Sequence, residues 1–303
     1  MSRHPIALLV LLAACGDGLL LTACGDNEPH PDVTPDASEE PDADPGPREV
    51  AIRFTPKVGS APFACGQTYA AMGAEATAIT PRDFRVYVHD VKLIRPDGTQ
   101  VPLTLAQDGA WQYQGVALLD FEDFTGGCAD GTPETNRELR GTAPAGSYDG
   151  IAFSIGVPEA LNHLDLTTQP APLNLSGLWW SWGLGHVFMA VVTHAEITTP
   201  QPGTNDHYVH VGSIDCTGNP AMGQPVTCAK PNRPYIELRG FDPTSRPITA
   251  DFGAVIARSK LATTLGCHSF TQDSCAFPFD FVGLNWFTGS QTPTTQKLFR
   301  VDP

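Results

Sequence analysis

The chain has 303 residues, of which 33 are acidic and 18 basic, giving a formal net charge of -15. No basic cluster is present to neutralise phosphates, which argues against a nucleic-acid partner. Much of the acidity falls in one segment before residue 49, so it describes a stalk more than a binding face.

The amino terminus, "MSRHPIALLVLLAACGDGLLLTACGD", sets Arg3 ahead of an apolar run too short to span a bilayer, and reads as an export signal. Cys24 in "LTAC" follows the Leu-small-small pattern of a bacterial lipoprotein signal. Residues 1–23 are then the signal and Cys24 the lipidated first residue. Cys15 in "LAAC" offers the same pattern, because Asp17 interrupts the run before Cys24, and a conventional secretory signal is the plainer alternative. Residues 25–48 carry eight acidic residues, six prolines and one arginine. Such a stretch buries too little apolar surface to offset ordering its backbone, so 24–48 is expected to be a disordered tether holding the domain off a membrane.

From Glu49 to Pro303 the chain is rich in Gly and Pro, has no internal repeat or second linker, and lies within the range of one large β domain. Apolar alternation occurs at Val50, Ile52 and Phe54 in "EVAIRFTP", through "RDFRVYVHDVKLIRPDGTQ" up to its "PDG" turn, and at Ile151, Phe153 and Ile155 in "YDGIAFSIGVP". Further strands are expected in "HVFMAVVTHAEI", "HYVHVGSI", "RPYIELRGF" and "RPITADFGAVI". Helical period is found only in "PETNRELRG" and "ARSKLATTL", both short. The expected fold is an all-β, disulfide-stapled antiparallel β-sandwich with long loops, the longest running through "LNHLDLTTQPAPLNLSGLWWSWG". That loop is too aromatic to be disordered, which points to function.

Six cysteines fall in the domain: Cys65, Cys128, Cys216, Cys228, Cys267 and Cys275. An even number in an exported chain argues for disulfides, although six allow fifteen pairings. The short loops favour Cys216–Cys228 and Cys267–Cys275, leaving Cys65 with Cys128. No C-x2-C spacing supports the rival zinc reading.

The chemistry-bearing residues are histidines and tryptophans. His89 lies mid-strand between apolar neighbours, so its imidazole needs an internal partner, either a metal or a carbonyl. His163 sits in the loop before the tryptophans, with Asn162 and Asp165 able to orient it. His207 and His210 are three apart on a strand and face opposite sides; His210, nearer to Cys216, is preferred. Oxidised cysteines exclude a blue-copper site, so any metal here is held by imidazoles, with copper ahead of zinc. In "GLWWSWGLGHVF", Trp180 and Trp182 share a face of an extended stretch and Trp179 faces the core. Core packing and a sugar-stacking platform are the ordinary readings of such a cluster. Indole beside a redox metal can alternatively be oxidised to kynurenine. "WWSWG" is not a G-x-S-x-G elbow, so a nucleophilic hydrolase is not supported. "LLDFEDFTGGCADGT" lacks EF-hand spacing and reads as a solvated loop.

Several stretches taken in order carry a resemblance: "FACGQTY", "RDFRVYVHDVKLI", "DFEDFTGGCADGTPETNRELRG", "GSYDGIAFSIGVPEALNHLDLTTQPAPLN", "WSW", "HVGSIDC" and "TCAKPNR". Together they resemble the metallo-mystery pair four-Cys motif family, the MbnP-like copper-binding proteins, over about Val50 to Asp251. The resemblance implies a periplasmic or surface-exposed β-sandwich that binds copper and is not itself an enzyme. It also implies a di-haem partner of the MbnH type, related to bacterial cytochrome c peroxidases, that oxidises a tryptophan of the copper protein to kynurenine. By motif the four family cysteines are Cys65, Cys128, Cys216 and Cys228, with Cys267 and Cys275 as an additional pair. "YVHDV", "LNHLD" and "HVGS" give His89, His163 and His210 as the metal ligands. "WSW" gives Trp180 or Trp182 as the oxidised residue. Family members commonly read Trp-Gln-x-Gly-Tyr after this motif, whereas here "WGLGH" places Gly183 and His186, making His186 a possible extra ligand. A different class of function, a surface glycan- or protein-binding module using Trp179, Trp180 and Trp182 as a platform, remains the alternative.

Overall fold

Alternation in the first strand shows how the sandwich is assembled. In Pro47–Val58, Val50, Ile52, Phe54 and Val58 are buried while their neighbours face outward, the period-two pattern of a strand with one wet face. These are features of the computed structural model, which describes residues 46–197, 205–270, 273–292 and 296–302. The expected signal, both amino-terminal cysteines and most of the tether lie outside the described residues. Pro47 and Arg48, read from composition as the end of the tether, instead pair with Pro144 and Ala143 and begin the first strand.

The smaller sheet runs, in spatial order, Phe299–Arg300, Ile248–Asp251, Pro47–Val58, Glu138–Pro144 and Thr104–Leu105. The larger is built on the 18-residue strand Thr77–Ile94. Along it lie Gly150–Ile155 and then Tyr235–Arg239 toward one end, and Gly185–Ala195, Asp206–Gly212 and Gly266–Cys267 toward the other. Phe54 and Phe299 of the smaller sheet meet Phe153 of the larger at ring separations of 6.2 and 5.1 Å, which places one core between the sheets. The all-β sandwich read from the sequence is the observed fold.

The two short-loop disulfides, Cys216–Cys228 and Cys267–Cys275, form as expected, and so does Cys65–Cys128, the pair they leave. The two expected helices do not form. "NRELRG" enters the strand Glu138–Pro144, whose register with Pro47–Val58 decides its conformation, and "ARSKLATTL" is a run of turns. "RPITADFGAVI" is strand only to Asp251, where the Asp251 carboxylate accepts from Ala254 N–H and caps the helix Phe252–Ile256. "LLDFEDFTGG" is not solvated at its centre. Asp120 and Glu122 are buried around Arg85, whose guanidinium is paired with Asp83 at 2.5 Å, and burial raises the Asp120 carboxyl to about 8. Among the described residues, no helix is long and apolar enough to cross a membrane.

Candidate metal centre

The outer face of the larger sheet positions the site. Antiparallel pairing places Arg85, Ala190 and His210 directly opposite one another on adjacent strands, so their side chains share a face. His207, three residues earlier, turns into the core and is fully buried, as the strand period requires. The segment that follows Gly156 crosses this outer face and carries the tryptophans.

The structure does not bring His89, His163 and His210 together. His89 lies four residues beyond Arg85 on the same strand, roughly 13 Å farther along it, while His210 lies two strands to the side. One ion cannot bridge that span. His89 Nδ1 is 2.9 Å from the Gly156 carbonyl, the internal partner that its burial demanded, and burial lowers its pKa to about 4. His163 Nδ1 lies 3.1 Å from the Trp182 carbonyl, and its Nε2 faces Cys228 Sγ at 3.4 Å.

His186 is not placed to act as an extra ligand. It is fully buried, and its two ring nitrogens each face a carbonyl oxygen at 3.0 Å, those of Asn162 and Leu173. Burial pushes its pKa down while the two carbonyls push it back up, and neither nitrogen is directed at a shared site. His194 pairs with Asp206 at 2.7 Å, and His207 Nδ1 is 3.0 Å from the Thr264 carbonyl.

One pair stands apart from these carbonyl- and carboxylate-bound rings. His210 Nδ1 and His268 Nδ1 lie 3.1 Å apart, with ring centroids 4.9 Å apart. Parallel pairing of Val209 with Cys267 brings His268 beside His210 from 58 residues away, and the Cys267–Cys275 bridge fixes that strand. Ser269 Oγ donates to the His210 carbonyl and accepts from Gly212 N–H, tying the two segments together. Burial, then the neighbouring His268 and Arg85, holds His210 at about 3, and burial lowers His268, so both rings are neutral near pH 7.

Neutral imidazoles at this spacing suit a metal. With metal–nitrogen bonds of about 2.0–2.1 Å, nitrogens 3.1 Å apart subtend roughly 100° at a shared ion, between square and tetrahedral. The pair alone supplies two donors. The groups of three or more His, Cys, Asp or Glu donors found among the described residues are His163–Cys216–Cys228 and Cys65–Glu122–Cys128, both built on disulfides.

Trp180 lies beside this pair. Its ring is 6.5 Å from that of His210, stacks on Phe270 at 6.1 Å, and lies across Gly212, where a Cβ would come within 2.6 Å of the indole. Tyr208 packs on both imidazoles, 5.5 and 5.1 Å away. Trp182 does not share the face of Trp180. The turn closed by Leu184 N–H on the Ser181 carbonyl ends the extended stretch, and Trp182 swings out to 47% exposure. Trp179, expected in the core, is only half-buried, and meets Trp182 edge to face at 88° and His186 at 4.9 Å. Three rings so disposed make no flat stacking platform.

A disulfide-stapled β-sandwich, roofed by an aromatic loop over a neutral histidine pair, is thus the class that fold and site define. The MbnP family profile matches residues 47–269. The solved structure of MbnP from Methylosinus trichosporium is similar over 84% of this chain and 98% of that one, at 31% identity and a TM-score of 0.77. The chain belongs to the MbnP family. No curated protein matches it.

Proposed function

We propose that this chain is an exported, lipid-tethered copper-binding protein, not itself an enzyme, that presents Trp180 to a di-haem peroxidase-like partner for oxidation to kynurenine. The observation that carries this reading is the His210–His268 pair, 3.1 Å between nitrogens, with the Trp180 ring against it. Imidazole suits copper, and Cu2+ stands highest among the first-row divalent ions where geometry permits. The pair supplies two donors, and the ring-opened indole would add an aromatic amine and a ketone beside them.

Membership of the MbnP family supports a copper role in acquisition or homeostasis, and the amino-terminal Cys24 motif supports an outer-membrane lipoprotein facing the periplasm or the cell surface. The nearness of the Trp180 ring to His210 supports it over Trp182, which is half-exposed and packs on Trp179 instead. Co-expression with the haem partner, followed by peptide mass spectrometry, tests the modification. Kynurenine in place of Trp180 is the expected product; an unmodified Trp180 peptide, or kynurenine only at Trp182, would overturn the assignment.

A further inference from the structure

The Cys216–Cys228 bridge has an imidazole aimed at it. The two cysteines face each other across the hairpin formed by Ile214–Thr217 and Thr227–Lys230, and both are half-buried. His163, delivered by the turn after the helix Glu159–Asn162, sets Nε2 3.4 Å from Cys228 Sγ, and this nitrogen and both sulfurs lie within 4.8 Å of one another. The Trp182 carbonyl, which can only accept, lies 3.1 Å from Nδ1 and therefore fixes the proton there. Nε2 then carries the lone pair, which accepts from Asn162 Nδ2 at 3.0 Å; a cation entering between the sulfurs would displace that donor, which also lies 3.4 Å from Ser213 Oγ. A cavity beside the ring, lined by Glu159, His163, Leu164, Pro220, Gln224 and Val226, provides an approach.

While the bridge is closed the sulfurs have no thiolate to offer. We propose that Cys216, Cys228 and His163 form a redox-gated site for one soft cation, Cu(I), that opens when the bridge is reduced. A dithiol donor breaks the S–S bond, taking up the bridge in its own disulfide and leaving two thiols on the hairpin. Binding of Cu(I) displaces the thiol protons, and two thiolates and one imidazole hold the ion, a donor set that favours soft metals. No residue of this site belongs to the His210–His268 pair, so the two sites fail separately.

The test uses the mature chain treated under native conditions with about one equivalent of a phosphine, which reaches the half-buried Cys216–Cys228 bridge ahead of the bridges that hold the buried Cys128, Cys267 and Cys275. Thiol mapping by mass spectrometry verifies which bridge has opened, and the chain is then titrated anaerobically with Cu(I) against a chromophoric Cu(I) chelator. The reduced chain is expected to take up one more Cu(I) than the oxidised chain, with thiolate-to-copper absorption in the ultraviolet. The Cys216→Ser/Cys228→Ser variant keeps the other two bridges and should lose that extra ion. His163→Ala, which leaves the hairpin pairing in place, should weaken it at least about tenfold. The His210→Ala/His268→Ala variant should retain it. Equal uptake before and after reduction, or full uptake by the double-serine variant, would overturn the site. Unchanged affinity in His163→Ala would remove the imidazole from it.

Discussion

His210 and His268 differ from the other described histidines in what their nitrogens face. Where His89, His186 and His207 are each held by backbone carbonyls, this pair faces itself, and a shared ion replaces one weak N–H···N contact with two coordinate bonds. His89 makes a prediction of its own. A histidine whose folded pKa lies below its unfolded value near 6.5 binds fewer protons when folded, so its stabilising effect is complete above about 6.5 and is lost as pH falls toward about 4. Denaturant unfolding of the apo protein should therefore show stability falling across that window, by at most about 1.4 kcal/mol per pH unit from this group. An NMR titration should place its imidazole near pH 4; a midpoint near 6.5 would contradict the buried, carbonyl-bonded ring. Gly212 supports Trp180 in a different way. In Gly212→Ala the new methyl would meet the indole at 2.6 Å and the His186 carbonyl at 2.9 Å, so thermal unfolding should show a loss of about 1–3 kcal/mol and tryptophan fluorescence should shift as the ring is displaced.

The elements explain which parts of the site could be read from the chain and which could not. Strands whose apolar residues alternate, such as Val50–Phe54 and Ile151–Ile155, are visible locally because one face must leave water. The opposite orientations of His207 and His210 follow from the same period. Local pattern fails where pairing decides: "NRELRG" has helical spacing and becomes a strand because Pro47–Val58 supplies its hydrogen-bond partners. The sharing of a face by Trp180 and Trp182 fails for a related reason, since the Ser181–Leu184 turn ends the extended stretch between them. His268 was the residue missed, because its partnership with His210 depends on a parallel pairing across 58 residues. Its local signal was the adjoining Cys267, whose bridge to Cys275 anchors the short strand. Removing that bridge in Cys267→Ser/Cys275→Ser should lower stability by about 2–3 kcal/mol in loop-closure terms, measured by denaturant unfolding. The same variant should weaken copper binding by the oxidised protein more than Cys216→Ser/Cys228→Ser does, because only the first bridge positions His268.

For the whole molecule, the sandwich is a rigid support whose outer face is covered by one long loop, and the loop delivers Trp180 to a histidine pair assembled from two strands. The sequence motifs that marked His89 and His163 lie on the same roofed side, but the strand register separates His89 from His210, and His163 faces a disulfide. The proposed copper site is the His210–His268 pair. Metal analysis of the mature, oxidised chain after copper loading and desalting, alongside the His210→Ala/His268→Ala and His89→Ala variants, tests it most directly. About one bound copper is expected in the parent chain and in His89→Ala, and none in the double variant. Copper retained by the double variant, or lost in His89→Ala while the fold persists, would contradict it.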